Sequence, residues 1–533
     1  MIRGRGAAAA VAGVVLVLAA AGCSGGGTPS ARGDAVSGAS VSAGAGAVAL
    51  VPLPSQVSVG GGEGYALSAG TVVHGEGGAA ATAVAGDLAS LLRPVTGLAL
   101  PVVGTGGASG LVVRLDAAAG TGAEGYRLVS GPDGVVITAA TGAGLFHGVQ
   151  TLRQLVPVKG VGTVPAVRIS DRPRYGYRSG SLDVARHFFP VADVERYVDL
   201  LAQYKFNVLH LHLTDDQGWR IAVPGLPGLT GIGAATQVGG GAGGYYTAAD
   251  YRAIVAYAAA RYITVVPEVD LPGHTNAALT AYPDLGCAGD APAQPYTGVG
   301  VGFSRICTGK ESTYGFVDKV VGALAALTPG PYLGIGGDEA DALAPADYDA
   351  FMARAAAIVR AHGKQPVAWD EAAGAGKDGP QLLGVWHPLK LEPAGLAQQL
   401  VAAAQRGAKL VMEPADRAYL DQKYDEQTSL GTSWAGYLSV QKSYDWDPDG
   451  YLTGLPAGSV TGVEAPVWTE TLSTVANLET MLLPRLPALA EVAWTPQAER
   501  GWADFRQRLA AQQPRWQAQG LSYQRADGVP WGS

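Results

Sequence analysis

Gly334-Ile335-Gly336-Gly337-Asp338-Glu339 follows the apolar pair Tyr332-Leu333 and sets two carboxylates side by side where a short strand should end. The glycines ahead of the acids let the backbone turn sharply and come close to a ligand. A bare Gly-Gly-Asp-Glu is also an ordinary solvated turn, so its meaning rests on the surrounding chain. Including the stretch at 332–336, candidate strands lie at 179–184, 206–213, 263–269, 366–369, 382–386, 409–412 and 460–467, and most end in Arg, Asp, His, Glu or Trp. Amphipathic segments separate them, such as 191–204, with Val191, Val194, Val198 and Leu201 on one face. This rhythm, spread over roughly 330 residues, predicts an α/β fold, a (β/α)8 barrel with loop insertions. An open doubly wound sheet is the competing arrangement. No Gly-rich phosphate loop follows the first strand, which favours the barrel.

Ahead of the barrel, assigned to 173–533, residues 49–172 carry short apolar runs at 65–67, 71–73, 110–115, 126–129 and 135–138 between Gly-rich turns. Two helical patterns, 80–92 and 144–155, accompany them and predict a small α+β domain. It contains no cluster of catalytic residue types and reads as a support module. Residues 24–48 are Gly, Ser and Ala with little to bury, a flexible linker. Residues 1–23 are a targeting segment: Arg3 and Arg5 precede an apolar run that leads through Ala20-Ala21-Gly22 into Cys23. That pattern resembles a bacterial lipoprotein signal with Cys23 as the lipidated residue, and an ordinary secretory signal is the alternative. Either predicts an exported protein, lipid-anchored on the outer side of the cell membrane or secreted. The remaining cysteines, Cys287 and Cys307, are then expected to pair across a long Gly/Pro-rich loop. With a net charge of −8 and 15% charged residues, nothing recommends a nucleic-acid partner.

Barrel active sites form at the C-terminal ends of the strands. Taken in order these ends offer Arg186, Asp215, Asp270 with His274, Asp338 with Glu339, Trp369, Trp386, Glu413, and Trp468 with Glu470. Tyr419, Asp421 and Trp434 lie in the long stretch between the last two strands. Indoles beside hydrogen-bonding carboxylates suit a sugar, whose ring has apolar faces and a hydroxyl rim. His210 and His212 share one strand face ahead of Asp215-Asp216 and form the best metal candidate, but no third ligand stands out, so no metal and no cofactor is expected.

Four motifs now carry a resemblance: Leu182-Asp183-Val184-Ala185-Arg186-His187-Phe188; His210-Leu211-His212-Leu213-Thr214-Asp215-Asp216-Gln217-Gly218-Trp219-Arg220; Glu268-Val269-Asp270-Leu271-Pro272-Gly273-His274; and Gly336-Gly337-Asp338-Glu339. In this order they resemble glycoside hydrolase family 20, the β-N-acetylhexosaminidases, with similarity running from about 125 to about 496. The family's architecture is a small α+β domain ahead of a (β/α)8 barrel. The resemblance implies a retaining, exo-acting enzyme in which the substrate's own 2-acetamido oxygen attacks the anomeric carbon. This substrate-assisted route is an exception to the usual two-carboxylate scheme. It implies that Glu339 is the general acid and later the base, and that Asp338 holds the acetamido N–H. Tyr419 would donate to the acetamido oxygen, and Trp369, Trp386 and Trp468 would wall in its methyl and the sugar face. Arg186, Asp421 and Glu470 would bind ring hydroxyls and Trp434 would stack on the next sugar, while Asp215 and His274, with Asp270 also in support, stand behind the acid. One departure is visible: the family often has His where this chain has Gly334, which predicts looser packing of that strand.

Three other readings stay open at this level: a disaccharide-releasing enzyme of the same family, a glycan-binding lipoprotein on an inactive barrel, and a retaining glycosidase with a protein nucleophile such as Glu470. The expected partner is a glycan ending in N-acetylglucosamine or N-acetylgalactosamine. The sequence does not choose between these sugars, nor assign an oligomeric state.

Overall fold

Eight parallel strands close on themselves: β1 (Tyr177–Asp183), β2 (Val208–His212), β3 (Thr264–Glu268), β4 (Tyr332–Gly334), β5 (Gln365–Trp369), β6 (Leu382–Val385), β7 (Lys409–Met412) and β8 (Val460–Val467). β1 pairs in parallel with β2 on one side and with β8 on the other, which shuts the barrel. The computed structural model describes residues 48–532 apart from 105, 108 and 292, so the targeting segment, Cys23 and all but the end of the linker lie outside the described residues.

Most strand residues are buried on both faces, as expected of a parallel sheet covered by helices. The helix Val191–Gln203 presents Val194, Tyr197, Val198 and Leu201 inward, the stripe read from the 3.6-residue period. Strand ends carry the polar groups. Side chains pointing into the barrel at its C-terminal end therefore meet in one place, although they are far apart in the chain.

The preceding domain is a seven-stranded mixed sheet in the order Gln56–Val59, Val167–Asp171, Tyr126–Gly131, Gly134–Ala139, Gly110–Leu115, Val73–Glu76, Val102–Val103. Helices Ala79–Thr96 and Gly142–Leu155 pack beside it and bury their Ala, Val and Leu stripes. The expected α+β character holds, with local differences. The run at 71–73 is a strand only from Val73 onward, because the Thr71 hydroxyl accepts from Ser68 N at 2.9 Å and makes the preceding residues a turn. Tyr65–Ala66 pairs with Thr163–Val164 in a separate two-stranded ribbon. Gln56–Val59 and Val102–Val103 are short and largely exposed, so they show no burial pattern to read.

Buried ion pairs join the two domains. Lys205 Nζ lies 3.0 Å from both Asp171 Oδ2 and the Tyr126 hydroxyl, and Trp494 Nε1 donates to Asp171 Oδ1 at 2.9 Å. Arg178 grips Glu124 at 2.6 Å. Each buried charge has a partner, the condition under which such charges are tolerated. No helix among the described residues is long and apolar enough to cross a membrane.

Candidate active site

β4 ends at Gly334, and the next residues turn the chain across the barrel mouth. Gly336 and Gly337 have φ of 65° and 107°, where a side chain is strained. Space forbids one as well: a Cβ on Gly336 would sit 1.7 Å from Asp270 Oδ1, and one on Gly337 would sit 2.7 Å from Met352 Cε. The two glycines let Gly337 N donate to Asp270 Oδ1 at 3.1 Å and aim the next two carboxylates upward. Glu339 itself has φ 49° and His274 φ 53°. Left-handed backbone at non-glycine residues is uncommon and gathers at functional sites.

A cavity of about 470 Å³ opens above the strand ends. Its wall includes Arg186 after β1, His274 after β3, Asp338 and Glu339 after β4, Trp369 of β5 and Trp386 after β6. Tyr419 and Asp421 after β7, Trp434, and Trp468 and Glu470 after β8 also line it. Asp215 and Asp270 do not line the cavity but stand behind it, in contact with residues that do. Glu413 lies deeper, where burial and the neighbouring Glu464 push its carboxyl well above the usual carboxylate range. Five aromatic rings form a box: Trp386 stacks on Tyr419 at 6.4 Å between centroids with 18° between planes. Trp434 meets both rings edge-on, at 5.8 and 5.9 Å. Trp369 and Trp468 close the other side at 6.0 Å from each other. Trp434 is the exposed one, at 48% of its surface, and stands at the rim.

Several polar atoms in this wall are buried without a partner: Asp338 Oδ1, Glu470 Oε2 and Trp369 Nε1. Buried polar groups are otherwise almost always bonded, so this set is arranged for a ligand with both donors and acceptors. Burial raises the carboxyls of Asp421 to about 6 and Glu470 to about 7. Arg186 stays cationic: burial alone would lower its affinity for the proton, and Asp215, Asp183 and Glu470 more than offset that.

Below the cavity runs a chain of alternating carboxylates and imidazoles. Glu464 Oε1 is 2.8 Å from His210 Nδ1, and His210 Nε2 is 3.1 Å from Glu268 Oε2. Glu268 Oε1 is 2.6 Å from His212 Nδ1, and His212 Nε2 is 2.9 Å from Asp215 Oδ2. Asp215 Oδ1 then meets His274 Nδ1 at 3.1 Å, while Arg186 Nη1 lies 2.8 Å from Asp215 Oδ2. His274 Nε2 ends the chain 3.2 Å from Glu339 Oε2 and 3.4 Å from Asp338 Oδ2. An imidazole facing a carboxylate through each nitrogen donates from both, so it is cationic. Burial opposes that charge at His212, but Asp215 and Glu268 outweigh it and raise the group to about 9. Asp215 and Asp338 do the same for His274. Burial would raise Asp215, yet Arg186 and His274 hold it well below the usual carboxylate range.

The histidines weighed as metal ligands thus belong to this chain. Asp270 does bring a third ligand atom close, within 4.8 Å of atoms from His212 and Asp215, as the sequence did not reveal. Both nitrogens of His212 are nevertheless engaged by carboxylates. Gly334 does not loosen β4. A Cβ there would lie 2.8 Å from Glu268 Cβ and 3.0 Å from its Oε2, so the missing side chain is space that Glu268 fills. Sequence reading gave no role to Glu268, the last residue of β3, to Glu464 inside β8, or to Glu371, whose Oε2 accepts from Trp386 Nε1 at 3.1 Å. It also passed over Val299 and Val301 in the cavity wall. Their loop is the one closed by the Cys287–Cys307 disulfide, and the cysteines were its only flag.

This geometry has relatives. The model of "Glycosyl hydrolase family 20, catalytic domain" matches residues 175–497, and that of the family's domain 2 matches 47–172. A β-N-acetylhexosaminidase of Cellulomonas fimi is 46% identical over 476 residues, covering 88% of this chain and 94% of that protein. The structure of a Streptomyces plicatus N-acetyl-β-hexosaminidase in complex with Thio-NAglucal is 51% identical with a TM-score of 0.88, over 91% of this chain and 98% of that one. An exo-β-N-acetylglucosaminidase of Vibrio harveyi in complex with N-acetylglucosamine is 28% identical with a TM-score of 0.77, over 90% and 78%. With its barrel and its preceding domain both matched, the chain belongs to glycoside hydrolase family 20 and is a β-hexosaminidase-type glycoside hydrolase.

Proposed function

We propose that this enzyme removes single β-linked N-acetylhexosamine residues from the non-reducing ends of glycans, with retention, through an oxazolinium intermediate. One observation carries the reading. Asp338 and Glu339 both face His274 Nε2, at 3.4 and 3.2 Å, so the two acids approach a sugar from one side. A pair flanking the scissile bond, as a protein nucleophile and an acid must, approaches from two. An internal nucleophile supplied by the substrate resolves the difference.

In the proposed step the acetamido carbonyl oxygen forms a bond to the anomeric carbon while the glycosidic C–O bond breaks. The Glu339 carboxyl gives its proton to the leaving oxygen. Asp338, which lines the cavity, accepts the acetamido N–H and stabilises the positive charge that develops there. Water then adds to the anomeric carbon, returns a proton to Glu339, and expels the acetamido oxygen. Tyr419 donates to that oxygen, while Trp369, Trp386 and Trp468 enclose the methyl group. Arg186, Asp421 and Glu470 hold ring hydroxyls at the closed end, so chain ends enter and interior residues do not. Trp434, at the rim, offers its face to the following sugar. Residues 1–23 extend the proposal to an exported enzyme anchored through Cys23. The mass of the mature N-terminal peptide checks that part, and an unmodified or internal start overturns it.

The test pairs chromogenic β-glycosides of N-acetylglucosamine and of glucose, with wild type, Glu339→Gln and Asp338→Asn. Turnover of the first glycoside alone, reduced on the order of 10²–10⁴-fold in Glu339→Gln, is expected. Comparable cleavage of both glycosides by the wild type overturns the acetamido mechanism.

A further inference from the structure

Away from the barrel mouth, the seam between the two domains holds a crevice of about 550 Å³ whose charged lining is entirely positive. Arg153, Lys159 and Arg515 face it, Leu91, Val95 and Val156 supply apolar wall, and no carboxylate among the described residues lines it. None of these residues lines the catalytic cavity. In a chain of net charge −8 three cations collected without an acid are not a consequence of composition.

The three cations are not equivalent. Arg515 is occupied: its Nη1 donates to Arg153 O at 2.9 Å, and its Nη2 to Gln154 O and Val156 O at 2.5 and 2.8 Å. It thereby caps the carbonyls at the end of helix Gly142–Leu155, where a cation is favoured. Arg153, in the last turn of that helix, is only partly exposed, and its guanidinium makes no hydrogen bond or ion pair among the described residues. Burial and the charge of Arg153 push Arg515 down to about 10, and burial lowers Arg153 as well. Two guanidiniums are therefore held together, largely out of water; the charge of Asp199 reaches Arg153 but, among the described residues, no carboxylate forms an ion pair with it. Burial of unpaired charge is unfavourable and is ordinarily relieved by a partner.

A second crevice of about 430 Å³ shares Arg153 and Gln519 with the first. There Gln150 Oε1 is buried without a partner, one helical turn from Arg153 and on the same face. The acids on that side are Asp87 and Asp199; Asp199 is bonded to Arg261 at 2.5 Å, and Asp87 also feels the Arg261 charge. Arg196, the other cation there, is bonded to Glu479. Arg153 thus stands between a crevice that also holds Lys159 and Arg515 and an adjoining one that holds the free amide acceptor and the already paired Asp199.

We propose that this seam is a second ligand site, which takes a small oxyanion on Arg153, supported by Lys159 and Arg515, with a hydroxylated, sugar-sized body reaching Gln150. A guanidinium accepts carboxylate or phosphate oxygens through two parallel N–H donors, and the shared chemistry of the ligand is that oxyanion. The test uses the full chain at constant ionic strength. Inorganic phosphate, glucose 6-phosphate, glucuronate and neutral glucose are titrated, and binding is read by calorimetry and by melting temperature. Saturable binding of the anions but not of glucose is expected, with affinity lowered at least about tenfold in Arg153→Gln and partly kept in Arg153→Lys. Lys159→Gln, at a surface position, should weaken binding about threefold. Hydrolysis of a chromogenic N-acetylglucosaminide should be unchanged in all three variants. Tighter binding of glucose 6-phosphate than of phosphate supports the sugar-sized body, and glucuronate does the same for a carboxylate source. Absence of saturable anion binding to the wild type, or equal binding to Arg153→Gln and Lys159→Gln, overturns the proposal. So does a marked loss of ligand-free stability in Arg153→Gln, since an unpaired charge should be dispensable to the fold.

Discussion

Asp215→Asn removes one charge from the middle of the buried chain, and its consequences can be worked outward in both directions. The carboxylate is 1% exposed and lies 2.8 Å from Arg186, 2.9 Å from His212 and 3.1 Å from His274. The amide keeps the shape and loses the charge, leaving three cationic groups without their common anion. Removing one partner of a buried pair typically costs about 3–5 kcal/mol, because the other charge stays buried. His274 then loses the first of the charges that keep it protonated, and with it the fixed cation 3.2 Å from Glu339. We expect kcat to fall on the order of 10²-fold, with KM changing less, since the residue touches no substrate.

The pH dependence has a definite sign. The folded-state proton affinity of Asp215 is depressed. Its stabilisation is therefore present above the unfolded carboxylate range of about 4 and disappears as pH falls through the lower folded value. At His212 the folded value is raised to about 9. That contribution is complete below the unfolded value of about 6.5 and is lost as pH rises through 9. Urea denaturation at pH 3, 7 and 9 should show the variant's deficit larger at pH 7 than at pH 3, where the Asp215 contribution is already falling away. The alkaline limb of its kcat profile should move to lower pH. A variant within about 1 kcal/mol of wild type at pH 7, with an unmoved alkaline limb, would refute the idea that Asp215 charges the relay.

Two further changes test neighbouring parts of the argument. Gly334→Ala would bring a methyl within 2.8 Å of Glu268 Cβ, on a strand held by Val269 N donating to Gly334 O at 3.1 Å. Overpacking should cost about 1–3 kcal/mol in urea denaturation and reduce kcat by disturbing the Glu268–His212 contact, whereas equal or greater stability would mean that β4 has room to spare. Replacing Cys287 and Cys307 by Ala opens a loop of 20 residues' separation that carries Val299 and Val301 into the cavity wall. Stability should fall by up to about 3 kcal/mol and KM should rise more than kcat falls; unchanged KM would detach that loop from substrate binding.

Much of this site could be read in one dimension, for a physical reason. A parallel barrel collects its strand ends at one mouth, so listing the polar and aromatic residues that follow each apolar run already lists the cavity: Arg186, His274, Asp338, Glu339, Trp369, Trp386, Tyr419, Asp421, Trp434, Trp468 and Glu470. The stripe of Val194, Val198 and Leu201 was legible because the helical period is local. Depth was not legible. Asp215 and Asp270 look like mouth residues in sequence and stand behind it, and Glu413 lies lower still.

What the sequence determined by itself was the order of strands and helices, the identity of the acids and indoles, and the family, since each depends on local pattern or on contiguous motifs. Only the tertiary structure decided that Glu268 and Glu464, 196 positions apart, share His210. The same holds for Gly334, which reads as a loss until Glu268 is seen in its space, and for Arg153, whose place beside Lys159 and Arg515 in one crevice only the fold creates. Partnership and exclusion of water depend on what the fold brings alongside a residue, and a chain position carries no record of that.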